Sequence, residues 1–476
     1  MLHSLLPTLL LALAPLQDTP APASTAERLP PLPWPELAFD PDQVDWNGTI
    51  DRIGEGAVAD LDVPGLTIAV SLGDEIVFER GYGLANLEHQ VPAGPETVYR
   101  IGSVTKQFTA SAIMGLVEDG ELGLDDDVRE HLPWVNTGDG VVTVRQLLNH
   151  TSGIPSYTDL GLEWMAKMRD EVTPEEIYGW VAERELDFEP GSAWHYNNTG
   201  YVLLGALLKE AGPRSARSEL RRTVNKGLGL ESIAYDNYRA VIPHRAAGYD
   251  QGLSSPINAQ FVSMTQPAAA GAMISTAADL LRWQRALVSG KVVTPESFEQ
   301  MTAPTRFADG RTSGYGFGLE VGRLDGLRRI SHGGGIMGFS SALAWYPEVE
   351  LGVCVLTNRS GIDSTAIERS VARGVLGIVP PVDVDLPLDE DARAELVGTY
   401  SFLFFELVVS EVEGELVATE PGSDEVGSRL RHRGDLAFGS ESEPGLLFRF
   451  HRAPDGRVAT ATFEDGGNEL VGIRVD

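Results

Sequence analysis

Basic side chains are scarce in this 476-residue chain: 37 Lys and Arg stand against 69 Asp and Glu, and only five of the 37, at positions 106, 167, 209, 226 and 291, are lysine. The formal charge of −32 repels phosphate backbones and anionic lipid, and "LRRTVNK" at 220–226 is too short and mixed to offset it, so nucleic acid is excluded as a partner. Cysteine is nearly absent. Cys354 stands alone and cannot close an internal disulfide; its setting, "LGVCVLT", suits a small buried side chain better than a nucleophile. Apolar runs long enough to cross a membrane are missing too. The stretch Leu5 to Leu16 falls short of the roughly 20 residues a span needs. With the small residues at Ala21 to Ala23 it suits a signal peptide over 1–23, although no Lys or Arg precedes it. A periplasmic or secreted mature chain without an integral membrane span is expected. HExxH and clustered His/Cys spacings are also lacking, so neither a metal nor another cofactor is expected.

What is present reads as globular protein, with 42% apolar and 22% charged residues, and the length calls for one large domain and a smaller one. Residues 24–40 are Pro-rich and form a linker. "GLTIAVSLGDEIVFERGYG" is a hairpin signal around Gly73-Asp74, and "SVTKQFTASAIMGLVEDG" has helical spacing that places Ser103 at a helix N-terminus. The middle of the chain is helical. From 314 an antiparallel strand meander follows, then the helix "STAIERSVARGVLGI". Strands early and late with helices between imply one α/β domain over 41–378 whose sheet is completed by both chain halves. A linker at 379–390 leads to 391–476, where short strands separated by Gly and Asp turns indicate a small all-β domain, barrel-like in pattern.

Three short motifs carry chemistry. Ser103-x-x-Lys106 is the first; chance supplies about 0.3 such matches in this composition, so spacing alone says little. Position adds to it, because residues three apart share a helix face and a helix N-terminus aims free NH groups at an anion. A serine needs a base, and a desolvated lysine can serve where an arginine cannot. The alternative is a capping serine beside a solvated lysine. Tyr196-Asn197-Asn198 is the second, at the end of a Pro/Gly loop and the start of an amphipathic helix. A second Tyr-x-Asn at Tyr235 lacks that framing, and a packed aromatic is the alternative for Tyr196. His332-Gly333-Gly334-Gly335 is the third; consecutive glycines beside a strand let a ligand approach backbone NH groups, where the alternative is a plain turn.

Taken in this order, the three motifs resemble the serine β-lactamase and penicillin-binding superfamily, in its class C β-lactamase, DD-peptidase, D-aminopeptidase and esterase branch. "LLNHTSGIPSY", "FEPGSAWHYNNTGYVLLG", "GAMISTAADLLRW" and "GYGFGLEV" add to the likeness, which covers about residues 50–378. It implies an antiparallel sheet flanked by helices, with a helical subdomain. It also implies an acyl-enzyme on Ser103, general-base work shared by Lys106 and Tyr196, and substrate binding by Asn198, His332, Gly333 and Gly334. The oxyanion hole falls to the NH groups of Ser103 and Gly335. Expected substrates are small amides, peptides, peptidoglycan-like fragments or esters.

One departure bears on substrate. β-Lactamases proper carry Lys-Thr-Gly or Lys-Ser-Gly at the third motif, and a neutral His332 offers a substrate carboxylate less attraction. A β-lactamase or DD-carboxypeptidase is therefore the secondary reading, followed by a non-catalytic binding or assembly relative. A rival α/β-hydrolase reading would use Ser340 in "GFSSA", which lacks the final glycine of a nucleophile elbow.

Overall fold

The computed structural model describes residues 45–378, 385–422, 427–441, 446–465 and 468–476. The expected signal peptide, the Pro-rich linker and residues 379–384 of the second linker lie outside them.

The larger unit is built on a seven-stranded antiparallel sheet. After helix α1 (Trp46–Asp60), strands β1 (Gly65–Leu72), β2 (Glu75–Asn86) and β3 (Val91–Pro92) supply one side of it. Helices α2 (Thr105–Glu118), α3 (Asn198–Glu210) and α4 (Ala277–Val288) intervene. Strands β4 (Glu320–Leu324), β5 (Leu327–Ile336), β6 (Phe339–Tyr346) and β7 (Leu351–Thr357) complete the sheet before α5 (Ser364–Leu376). The order is β3-β2-β1-β7-β6-β5-β4. Chain halves meet where β1 pairs β7, with Ala69 opposite Cys354.

Both central strands are buried on both faces, which is why they read as continuous apolar runs rather than as alternation. Their side chains still alternate between two cores. Ile68, Val70, Val353 and Val355 pack with Ile50, Ile367 and Val371 of α1 and α5. Ala69, Cys354 and Leu356 belong to the other core, with Phe108 and Ile113 of α2 and Trp283 of α4. Cys354 is fully buried and burial pushes its thiol well up, so it packs and does not react.

Helix α2 is the axis of that second core. Every residue from Thr105 to Leu116 is buried, which explains its lack of a polar face. The Phe108 and Trp283 rings stack at 4.2 Å, and Trp283 Nε1 donates to Gln107 Oε1 at 2.9 Å. A single 3-10 turn, Gly102–Val104, precedes α2 and carries Ser103.

The second unit is a closed eight-stranded antiparallel barrel. Its first strand, Gly398–Ser401, pairs its last, Asn468–Arg474, through Tyr400 opposite Arg474, and its interior is filled by Tyr400, Leu407, Val409, Phe438, Phe448 and Phe450. Closure removes the exposed edges that short strands would otherwise present. The same compact unit takes in residues 305–314. Thr312 bridges Val471, and Arg311 Nη1 donates to Phe402 O at 3.1 Å.

Candidate active site

The turn bearing Ser103 lies flat against β5 because glycine permits it. Gly102 has φ +48, and a Cβ there would sit 2.9 Å from Gly335 N. On the facing strand a Cβ at Gly334 would sit 2.1 Å from Ile101 O. Both positions exclude side chains for want of space, and Gly102 for backbone conformation as well. Ser341 Oγ pins the turn by donating to Ile101 O at 2.8 Å. Ser103 and Gly335 consequently line the same cavity, of about 450 Å³.

One helical turn on, Lys106 is fully buried. Its Nζ lies 3.1 Å from Ser103 Oγ, 2.8 Å from Asn198 Oδ1 and 3.0 Å from Ala270 O. Asn198 is oriented by donating from Nδ2 to Thr158 Oγ1 at 3.2 Å, which turns Oδ1 toward the lysine. No carboxylate pairs with Lys106 among the described residues, and burial holds its pKa well below the ordinary lysine value. The three partners explain how this is tolerated. Asn198 Oδ1 and Ala270 O can only accept, so they take the two hydrogens of a neutral amine. Ser103 Oγ can donate as well as accept, so its bond to Nζ reverses direction when the proton leaves, with no atom displaced.

Tyr196 packs its ring over that amine, with Nζ 4.7 Å from the ring centroid. Its hydroxyl is buried and completes no hydrogen bond among the described residues. Burial raises the phenol far above its ordinary range, while the Ser103 hydroxyl pulls the other way without reaching ordinary hydrogen-bond geometry in this resting state. Asn197, between the two motif residues, caps α3 through Gly200 N at 2.6 Å and so fixes where Tyr196 and Asn198 emerge.

The third run divides. Gly335 lines the cavity, whereas His332, Gly333 and Gly334 do not. His332 is buried behind them: Nδ1 faces Gly333 O, and Nε2 accepts from the Tyr315 hydroxyl at 2.8 Å. Burial lowers its pKa, so the ring is neutral at neutral pH and supplies no cation. Its ring stands 6.3 Å from that of Tyr196.

Ser340, the serine of the rival reading, is buried on β6 with Oγ donating to Ile362 O at 2.7 Å. The other Tyr-x-Asn is also accounted for structurally, with the Tyr235 hydroxyl donating to Met264 O and Asp236 held by Arg100 and Arg245.

Residues that motif reading missed complete the site. Ala270 contributes only a carbonyl, which no side-chain pattern advertises. His150 lies in the quoted "LLNHTSG" stretch, and its ring packs against Tyr196, Tyr201 and Tyr315 at 4.5, 5.2 and 4.7 Å. Its Nδ1 accepts from Asn197 N at 3.1 Å, and burial lowers its pKa well below the ordinary value. Asp250, Gln260 and Ser360 line the cavity from segments distant in sequence from the three motifs.

Comparison with known proteins agrees with this geometry. Residues 50–376 match the family model described as beta-lactamase. The chain is 27% identical to penicillin-binding protein 4* of Bacillus subtilis (strain 168), over 85% of this chain and 93% of that protein. It is 26% identical to a D-aminopeptidase of Gluconobacter oxydans (strain 621H), over 71% of this chain and 63% of that protein. A crystal structure of a D-stereospecific amidohydrolase from Streptomyces sp. superposes with a TM-score of 0.59 at 29% identity, covering 68% of this chain and 97% of that one. With a seryl-lysine pair built into this sheet and helix framework, and a match over more than half its length, the chain belongs to the beta-lactamase family of serine hydrolases.

Proposed function

We propose that Ser103 is the acylated nucleophile and that the substrate is a small amide or peptide. The observation that carries the reading is the fully buried Lys106 amine, 3.1 Å from Ser103 Oγ and without a carboxylate partner among the described residues. Burial holds that amine well below the ordinary lysine pKa, which suits it to accept the hydroxyl proton.

In the proposed sequence Ser103 Oγ bonds to the carbonyl carbon as its proton passes to Lys106 Nζ. The carbonyl oxygen, now an anion, receives the NH groups of Ser103 and Gly335. Collapse breaks the C–N bond, and the departing amine takes the proton from Lys106 by way of the Tyr196 hydroxyl. Water then attacks the ester carbon, giving its proton to the same pair; the C–Oγ bond breaks, Ser103 Oγ takes that proton back, and the carboxylic acid leaves. Asn198 holds Lys106 and the substrate amide, while His332 positions Tyr315 and the strand that carries Gly335.

Neutral His332 supports amides over substrates recognised through a carboxylate, which disfavours β-lactams and D-Ala-D-Ala termini. Likeness to a D-aminopeptidase and a D-stereospecific amidohydrolase supports D-amino acid derivatives within the amide class. Action outside the cytoplasm is supported by the N-terminal apolar stretch; no helix among the described residues is long and apolar enough to cross a membrane.

The test is a panel of a D-amino acid p-nitroanilide, its L enantiomer, a short-chain p-nitrophenyl ester, a D-Ala-D-Ala peptide and nitrocefin, with Ser103→Ala as control. Anilide or ester turnover that vanishes in the variant is expected. Turnover that survives Ser103→Ala refutes the assignment.

A further inference from the structure

The cavity beside Ser103 is mainly apolar, walled by Tyr157, Trp164, Val262, Ile336, Met337 and Phe339. Among its lining residues Asp250 is the only one whose side chain carries a formal charge, and no Lys, Arg or His is present. Asp250 sits half-buried on the short strand Tyr249–Gln251. Its Oδ1 accepts from the Ser360 hydroxyl and its Oδ2 from Gln260 N at 3.3 Å. Those two bonds fix the carboxylate in place and leave about half of its roughly four acceptor sites unused.

Asp250 also lacks a counter-ion. No Lys, Arg or His forms an ion pair with it among the described residues, in contrast to Asp236, which is paired with both Arg100 and Arg245. Arg359, next to Ser360, directs its guanidinium to the carbonyls of Leu61 and Asp62 instead. A carboxylate held rigid at an apolar wall, unpaired, is costly when empty and favourable when a cation arrives.

We infer that Asp250 is the specificity determinant of this site and that it binds a protonated amine on the acyl portion of the substrate. An apolar side chain of the same substrate fills the aromatic and aliphatic wall. This rests on the serine-hydrolase reading above and narrows it: the enzyme takes amides whose acyl group carries a free ammonium, and it discriminates against the same amide once that nitrogen is acylated. The hydrogen bond to a charged group is of a kind that corresponds to a preference on the order of 10- to 100-fold.

The measurement is the ratio of kcat/KM for phenylalanine p-nitroanilide to that for its N-acetyl derivative, using both enantiomers, in the wild type and in Asp250→Asn. A ratio of about 10 or more in the wild type, collapsing toward 1 in the variant, is expected. Because each ratio is internal to one protein, a loss of folded enzyme does not alter it. Inhibition of the wild-type reaction on p-nitrophenyl acetate by 2-phenylethylammonium, against neutral 2-phenylethanol, provides a second arm that needs no variant; the cation should bind at least 10-fold more tightly. A wild-type ratio at or below 1, equal binding of cation and alcohol, or an unchanged ratio in Asp250→Asn overturns the assignment while leaving Ser103 catalysis intact. Absence of all turnover with Ser103 unreactive to acylating probes overturns the serine-hydrolase reading itself, and this one with it.

Discussion

Gly102 and Gly335 approach so closely that a single methyl group on Gly102 would lie 2.9 Å from the Gly335 nitrogen. That contact sets the spacing between the turn bearing Ser103 and the strand NH proposed for the oxyanion hole. Gly102→Ala must push the two apart and strain a backbone with φ +48. Acylation should fall on the order of 100-fold, the scale of a misplacement near 1 Å, with a smaller effect on stability. Stopped-flow acylation kinetics alongside thermal unfolding separate the two; an active variant would show that the close approach serves packing alone.

On the proposed reading, lysine at 106 serves through its chemistry and not through its charge. Arginine keeps a cation there but cannot give up its proton. Lys106→Arg should lower acylation on the order of 10²- to 10⁴-fold, the range of general-base contributions. Near-normal turnover would remove Lys106 from that role.

The buried amine also makes stability depend on pH. Burial depresses the Lys106 pKa in the folded protein, so between that value and about 10.4 the unfolded chain binds one proton more than the folded one. Stability therefore rises with pH across this window. Relative to Lys106→Met, the wild type should gain stability as pH rises toward about 10.4, by up to about 1.4 kcal/mol per pH unit, in urea titrations run as a pH series. Parallel curves for the two proteins would mean that Lys106 stays protonated when folded.

Beneath the site, Arg329 of β5 and Glu368 of α5 are 1% and 0% exposed and joined at 2.7 Å, with the Tyr346 hydroxyl donating to the other carboxylate oxygen at 2.7 Å. Glu368→Ala strands the guanidinium and should cost about 3–5 kcal/mol. Replacing both by methionine should recover much of that loss. Urea midpoints for the three proteins decide it; equal losses in single and double variants would show that the ion pair itself stabilises the fold.

Much of the candidate site's geometry is legible in the sequence because its key spacing is local. Ser103 and Lys106 are one helical turn apart, and Tyr196 and Asn198 flank a helix start, so pattern alone nearly determines their geometry. The hairpin at Gly73-Asp74 and the meander after 314 were readable for the same reason. His332 was expected to bind substrate, but Tyr315, far from it in any local pattern, draws its ring inward. The Ala270 carbonyl and the Asp250 carboxylate reach the cavity only through tertiary packing of short elements distant in sequence. The joining of residues 305–314 to the barrel depends on a backbone bridge between Thr312 and Val471, which no periodicity announces.

The central claim is that Ser103 is the reactive serine, activated by Lys106. Intact-mass analysis and peptide mapping after treatment with a fluorophosphonate test it most directly. One adduct, located on Ser103, absent in Ser103→Ala and strongly slowed in Lys106→Met, is the result expected. No adduct on folded protein, or an adduct on Ser340, contradicts the account.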